Sequence, residues 1–210
     1  VDPELMYSMP KGLTAATGMD ALTHAIESYI TPGAWVMSDM FELKAIEMIA
    51  QNLKAAVDNG KDVAAREAMS QAQYIAGMGF SNVGLGIVHS MAHPLGAFYD
   101  TPHGVANALL LPYVMEYNAE SPAAPKYIHI AKAMGVDTTG MSEAEGVKAA
   151  IEAVKALSIS INIPQKLHEI NVKEEDIPAL AVAAYNDVCT GGNPRPTSVA
   201  DIEALYHKAF

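Results

Sequence analysis

The stretch VMSDMFELKAIEMIAQNLKAAV, residues 36–57, has the pattern of a long amphipathic helix. Its apolar side chains recur at intervals of three or four residues, at Met40, Leu43, Ile46, Ile49, Ala50 and Leu53. An α-helix turns once every 3.6 residues, so this spacing places them on one stripe. The stretch ends at Asp58-Asn59-Gly60, a sequence typical of a turn. We therefore predict a helix with one face buried.

Helical patterns continue on both sides of this stretch. The predicted helices cover residues 14–30, 62–80, 85–98, 103–117, 126–134, 142–159, 173–188 and 198–208. Ser142 and Glu145 have the spacing of a capping box, which marks a helix start. No segment alternates apolar and polar residues with a period of two, so no strand is predicted. The sequence predicts a single all-α, multi-helix domain over residues 1–210.

The composition excludes several classes of function. Acidic residues outnumber basic ones by 24 to 13, and the net charge of −11 would repel a nucleic acid. No apolar run reaches the roughly 20 residues that cross a bilayer, so no membrane association is expected. The single cysteine, Cys189, excludes an internal disulfide, and residues 1–5 do not resemble a signal peptide. These features predict a cytoplasmic protein.

The sequence contains no recognisable nucleotide-binding unit. Such a unit needs a strand, a glycine-rich turn and a helix in succession. The nearest glycine pairs are Gly77-Met78-Gly79 and Gly84-Leu85-Gly86, and no predicted strand precedes either of them. We interpret them as a turn and as positions of close helix packing.

Histidines and one aspartate form the candidate functional residues. Asp20 and His24 are four residues apart on a predicted helix, which puts their Cβ atoms about 5–6 Å apart, although this pair alone is more typical of a surface contact. His89, His93 and His103 fall within fifteen residues in a part of the chain with little charge. Buried histidines need partners, and imidazole is the commonest side-chain ligand of transition metals. The group predicts a metal site, but spacing leaves open which histidines bind.

Other histidines and the larger aromatics receive a simpler interpretation. The histidines that stand singly among polar residues are predicted to face solvent, and these are His129, His168 and His207. Two roles are open to four aromatic side chains, the lining of a small apolar pocket and core packing, and we favour core packing for each of Trp35, Phe80, Phe98 and Tyr99.

Five motifs together resemble one known family. They are ATGMDALTHAIE (16–27), GMGFSN (77–82), HSMAHPLGAF (89–98), TPHG (101–104) and DVCTGGNPR (187–195). The chain closely resembles the C-terminal helical domain of the iron-containing alcohol dehydrogenases, in particular the branch that interconverts lactaldehyde and 1,2-propanediol.

The resemblance implies both a site and an activity. It implies that one metal ion is held by Asp20, His24, His89 and His103. It places His93 near the nicotinamide and the substrate, where it is the candidate catalytic residue, and Cys189 near the nicotinamide ring. The implied metal is Fe(II), with zinc as the alternative because the ligand set suits both. The metal would act as a Lewis acid on a small alcohol or aldehyde while hydride passes to or from NAD(H).

The resemblance also implies a missing partner. Members of this family carry an N-terminal dinucleotide-binding domain, so we expect the chain to be a fragment or half of a split protein that needs this domain for catalysis. A homo-oligomer is expected for the full-length enzyme. One alternative is a non-catalytic metal-binding or assembly module. Another is a dehydroquinate synthase-type metalloenzyme, although the lack of Lys and Arg between Gln71 and Glu120 argues against a phosphate-handling site.

Overall fold

The computed structural model describes all residues, 1–210, and contains helices but no β-strand. The α-helices are α1 (Lys11–Ile30), α2 (Val36–Asp58), α3 (Val63–Val83), α4 (Ile87–Tyr99), α5 (His103–Asn118), α6 (Tyr127–Ala133), α7 (Glu143–Ser160), α8 (Ile177–Tyr185) and α9 (Val199–Ala209). Short 3-10 helices lie at Pro3–Met6, Ala124–Lys126, Leu167–Ile170, Glu174–Asp176 and Val188–Gly192. The all-α prediction is confirmed.

Helix α1 is the central element, and it packs against α2, α3 and α5. Its side chains Leu22 and Ile26 are fully buried, as are Ile46 and Ile49 on the predicted stripe of α2. Burying side chains of this size contributes about 1.5–3 kcal/mol each, so this interface accounts for much of the core. Met40, at the start of the stripe, is 62% exposed and lies beyond the core.

Glycines allow α1 to approach its neighbours closely. A Cβ at Gly18 would overlap the side chain of Leu53 on α2, and one at Gly104 would overlap the backbone of Ala16. The contact at Gly104 matters for the site, because it brings the first turn of α5 against α1. His103, the first residue of α5, is thereby carried towards α1.

Side-chain caps determine two of the helix starts. At Ser142 the hydroxyl accepts the backbone N–H of Glu145, whose carboxylate accepts the backbone N–H of Ser142, so the predicted capping box is confirmed. Ser198 and Asp201 form the same arrangement before α9. Helix α4 ends at Asp100, which adopts a left-handed conformation with φ of 54° and turns the chain towards α5.

The structure corrects two sequence-based expectations. The single helix expected at residues 173–188 is broken into a 3-10 turn, α8, and a second 3-10 turn that begins after Asp187. The break arises because the Asp187 carboxylate accepts the backbone N–H of Cys189 and caps the second turn. The core interpretation is wrong for Trp35 and Phe98, which are both 53% exposed. Tyr99 does pack against the core.

The three isolated histidines were predicted to face solvent, and they do: His129, His168 and His207 are all exposed. No helix in the chain combines the length and the apolar character that a membrane crossing would require.

Candidate metal centre

Three helices bring the predicted ligands together. Asp20 lies on α1, His89 on α4 and His103 at the start of α5. Asp20 Oδ1 is 3.7 Å from His89 Nε2 and 3.4 Å from His103 Nε2. Ligand atoms about 2.1 Å from a tetrahedrally coordinated ion are about 3.4 Å apart, so these separations match one shared ion.

His24 lies beside this group. Its Nδ1 is 3.8 Å from Asp20 Oδ2, and its ring centroid is 4.5 Å from that of His89. On the other side the ring stacks on Phe80, with the centroids 4.4 Å apart and an interplanar angle of 16°. Phe80 therefore forms a wall of the candidate centre. It lines the site rather than the core, which corrects its interpretation as a core residue.

His89 carries an unpartnered nitrogen at the middle of the cluster. Its side chain is only 2% exposed, and its Nδ1 lies 2.6 Å from Glu27 Oε2. A carboxylate can only accept, so Nδ1 carries a hydrogen and donates it to Glu27. Nε2, the atom that faces Asp20, has no hydrogen-bond partner. Leaving a buried polar atom unpaired is costly, and a cation between Nε2 and Asp20 would satisfy it. The residues present therefore fit a metal ion.

The electrostatics of the cluster favour a cation at its centre. Burial works against a charged His89, but the hydrogen bond and charge of Glu27 outweigh it and raise the pKa of His89. Burial lowers the pKa of His24 to about 4 and also lowers the pKa of His103. Both rings are therefore neutral at pH 7 and keep a lone pair for a metal.

Asn107 is a member of the cluster that sequence reasoning missed. It lies one turn after His103 on α5 and is fully buried. Its Nδ2 donates to Asp20 Oδ1 at 2.6 Å and lies 2.9 Å from His103 Nε2. Asn107 thus holds the Asp20 carboxylate and the His103 ring in one arrangement. The spacing of four residues from His103 was a signal that could have found it.

His93 belongs to a second group on the open side of the cluster. Its Nδ1 is 2.7 Å from Asp187 Oδ2, and its side chain is 42% exposed. Its ring stacks on that of His103 at 5.4 Å between centroids. Burial raises the pKa of Asp187, but the Cys189 N–H and the His93 side chain outweigh this and lower it. Asp187 is therefore an ionised acceptor that orients His93.

Cys189 lies next to His93 and Asp187, with its sulfur within 4.8 Å of their ligand atoms. Burial, together with the negative charge of Asp187, raises the pKa of the Cys189 thiol to about 12. The thiol is therefore protonated at neutral pH. Since thiolates rather than thiols attack substrates and bind metals, Cys189 acts here as a small uncharged side chain.

The segment that carries Asp187 and Cys189 is held against the end of α5 and against Leu85, which precedes α4. Asn193 and Asn118 exchange two side-chain hydrogen bonds, at 2.8 and 2.9 Å, and both residues are buried. A Cβ at Gly192 would overlap the carbonyl oxygen of Leu85. These contacts fix Asp187 beside His93, although the two residues are far apart in sequence.

A cavity of about 530 Å³ opens beside the cluster. Asp20 and His24 form one end of its wall, and Thr17 and Gln73 add neutral polar groups. The apolar part of the lining is Met6, Met9, Ala21, Met69 and Phe80, and no Lys or Arg is present. An apolar cavity with a few polar groups suits a small, uncharged molecule.

Comparison with known proteins identifies the family. The family profile described as Fe-containing alcohol dehydrogenase family, C-terminal, matches residues 14–210. The chain is 59% identical over 210 residues to lactaldehyde reductase of Escherichia coli K12 and 47% identical over 209 residues to 1,3-propanediol dehydrogenase of Klebsiella pneumoniae. It is 45% identical over 210 residues to the NAD-dependent methanol dehydrogenase of Bacillus methanolicus.

These alignments cover 100% of this chain and 54–55% of each relative, so the chain spans about half the length of the curated relatives it matches. The crystal structure of a 1,3-propanediol oxidoreductase superposes with a TM-score of 0.98 at 47% identity, over 100% of this chain and 55% of that one. An iron-containing alcohol dehydrogenase from Thermococcus thioreducens has a TM-score of 0.88 at 35% identity, over 99% of this chain and 53% of that one. The chain therefore belongs to the iron-containing alcohol dehydrogenases, a family of oxidoreductases, and corresponds to their C-terminal helical part.

Proposed function

We propose that this chain is the metal-binding catalytic half of an NAD-dependent alcohol dehydrogenase or aldehyde reductase that acts on small alcohols such as 1,2-propanediol. The observation that carries the proposal is the buried Nε2 of His89, which has no partner and faces Asp20. Three relatives are named for lactaldehyde, 1,3-propanediol and methanol, which are all small and uncharged. The size and apolar lining of the adjacent cavity support the same class of substrate.

The proposed ligands are Asp20, His24, His89 and His103. One carboxylate and three neutral imidazoles leave a divalent ion with a net charge near +1 and suit either Fe(II) or zinc. The family favours Fe(II). When bound, the ion would supply Lewis acidity towards an alcohol or carbonyl oxygen.

His93 is the proposed proton relay. Oxidation of an alcohol releases one hydride and one proton, and the hydride would go to NAD. Since Nδ1 of His93 is bound to Asp187, its Nε2 is the atom available to take the hydroxyl proton. Nε2 would then pass that proton to water, which can reach the ring because the His93 side chain is 42% exposed.

The cofactor NAD(H) and the N-terminal dinucleotide-binding domain are the proposed partners. The relatives are about twice as long as this chain, which leaves room for a domain of that size. We assign to His93 and Cys189 the contacts with the nicotinamide ring, because both lie on the open side of the cluster and the raised pKa of the Cys189 thiol keeps that side chain uncharged.

Metal analysis of single variants tests the proposal. The purified chain should contain about one equivalent of iron or zinc, and His89→Ala or His103→Ala should lose most of it. His93→Ala is the matched control, since it removes an imidazole from the same helix as His89 but should retain the metal. In a full-length enzyme His93→Ala should reduce turnover about 10²–10⁴-fold, the usual contribution of a general acid–base residue. Full metal retention in both ligand variants would refute the site.

A further inference from the structure

We infer that Glu27 is a positioning residue of the metal centre, which orients His89 and keeps its hydrogen on Nδ1, away from Nε2. The inference rests on the proposed function, because it requires His89 Nε2 to be a metal ligand. Glu27 itself would not touch the metal or the substrate.

The Glu27 carboxylate makes two buried contacts with α4. Its Oε2 accepts from His89 Nδ1 at 2.6 Å, and its Oε1 accepts from the backbone N–H of Val88 at 2.7 Å. The side chains of Glu27 and His89 are each 2% exposed. Val88 is in the first turn of α4, where backbone N–H groups lack partners within the helix. One carboxylate thus fixes both the start of α4 and the ring of His89.

The surroundings of Glu27 direct its carboxylate to α4. His89 is its only ion-pair partner, and no Lys or Arg approaches it. At Gly86, which precedes α4, a Cβ would lie 2.9 Å from Glu27 Oε1 and 3.1 Å from Asn193 Oδ1. The absence of a side chain at Gly86 therefore makes room for the carboxylate. Helix α1 supplies Asp20 as the proposed ligand and Glu27, seven residues later, as the support of a ligand on another helix.

Hydrogen-bond chemistry makes the Glu27→Gln variant informative. An ionised carboxylate accepts both hydrogens, whereas an amide offers one acceptor and one donor group. If the amide oxygen accepts from Val88, the amide NH₂ faces His89 Nδ1 and drives the hydrogen of the ring to Nε2, where it blocks ligation. If the oxygen faces His89 instead, the NH₂ meets the N–H of Val88, and two donors oppose each other. Both arrangements weaken metal binding.

The experiment measures metal affinity by competition with a chelator. Carboxylates that support a ligating histidine typically contribute 10–100-fold to metal affinity, so Glu27→Gln should weaken binding by that factor. The matched control is Glu42→Gln, the same change at another buried glutamate, which faces Gly79 on α3 and makes no contact with His89. Its metal affinity should equal that of the wild type. The Co²⁺ absorption spectrum should change in Glu27→Gln and stay unchanged in the control.

The outcomes separate this inference from the proposed function. If His89→Ala binds metal as tightly as the wild type, the proposed site is wrong and the inference falls with it. If His89→Ala loses the metal while Glu27→Gln keeps full affinity, only the role of Glu27 is overturned.

A measurement on the wild type covers the case in which Glu27→Gln does not fold. ¹⁵N NMR of the zinc-loaded chain should show a hydrogen on Nδ1 of His89 and metal on Nε2. Metal on Nδ1 would overturn the inference.

Discussion

Glu42 provides a test of the helical core that is separate from the metal centre. The residue lies on α2, is fully buried, and neither of its carboxylate oxygens has a hydrogen-bond partner. Ser28 is nearby, but its hydroxyl donates to the carbonyl of His24 at 2.5 Å. Burial, reinforced by the negative charge of Asp39, raises the pKa of Glu42 from 4.5 to about 8. The folded chain therefore holds a mostly neutral carboxyl group at pH 7.

A raised pKa of a carboxyl group makes stability fall as pH rises. Below the unfolded-state pKa both states are protonated and the contribution is complete, and it is lost as pH rises towards and through the folded-state pKa. With the values 4.5 and about 8, the loss between pH 5 and pH 9 is about 4 kcal/mol. Glu42→Gln removes the titration and therefore this part of the pH dependence. A buried amide destabilises the folded state by an amount that does not depend on pH. The test therefore rests on how the difference in unfolding free energy between variant and wild type changes with pH.

Urea unfolding at pH 5, 7 and 9 measures the effect. The free energy of unfolding of Glu42→Gln, minus that of the wild type, should increase by about 4 kcal/mol between pH 5 and pH 9. Titrations of the histidines occur in both proteins and cancel in this difference. A second variant, Glu42→Met, should show the same slope with a different offset. A difference that stays constant across this pH range would mean that Glu42 is ionised in the folded chain, and the reasoning would be refuted.

Two further predictions concern the packing of α5 and the missing cofactor. Gly104→Ala should lower the free energy of unfolding by about 1–3 kcal/mol and weaken metal binding, because the added Cβ overlaps Ala16 and pushes His103 away from Asp20. Gly12→Ala is the control, because nothing lies within 4 Å of its added Cβ. In the same unfolding and chelator assays it should change neither the free energy of unfolding nor the metal affinity. Calorimetric titration of NADH into the metal-loaded chain should show no binding at micromolar concentrations, because the chain has no strand–glycine turn–helix unit and a net charge of −11. Micromolar affinity would reveal a nucleotide site within the helical half.

Most of the fold could be predicted from hydrophobic periodicity. Long helices such as α2 and α3 have an apolar stripe with the period of an α-helix, and the capping box at Ser142 marks a start that the structure confirms. Helix α5 differs, because its residues 106–112 are buried on every side of the helix. The failure at residues 173–188 has a local cause. The side chain of Asp187 accepts the backbone N–H of Cys189, and this ends the helical region. The apolar pattern before this aspartate does not indicate that hydrogen bond.

Helical spacing alone predicts only those parts of the site whose residues share a helix, and the ligand set that joins α1 to α4 and α5 was implied by the family resemblance. Asp20, His24 and Glu27 occupy one face of α1, so the spacing that indicated the first two could also have indicated Glu27. The contact of Asp187 with His93 joins residues 94 positions apart, and no helical spacing predicts it. It depends on the paired amides of Asn118 and Asn193 and on the close approach at Gly192, which are properties of the folded chain.

The abundance of small residues in this chain has a functional consequence as well as a structural one. Imidazole rings on α4 and α5 can meet a carboxylate on α1 only if the three helix backbones are close together. Gly104 permits that approach at Ala16, and Gly86 leaves space for Glu27 between α1 and α4. A core built from larger side chains would separate the helices and move His103 away from Asp20. In this chain His103 Nε2 lies 3.4 Å from Asp20 Oδ1. The close helix packing is therefore what brings the ligands of the proposed metal centre together, and the Glu27 carboxylate contacts the His89 ring at its middle.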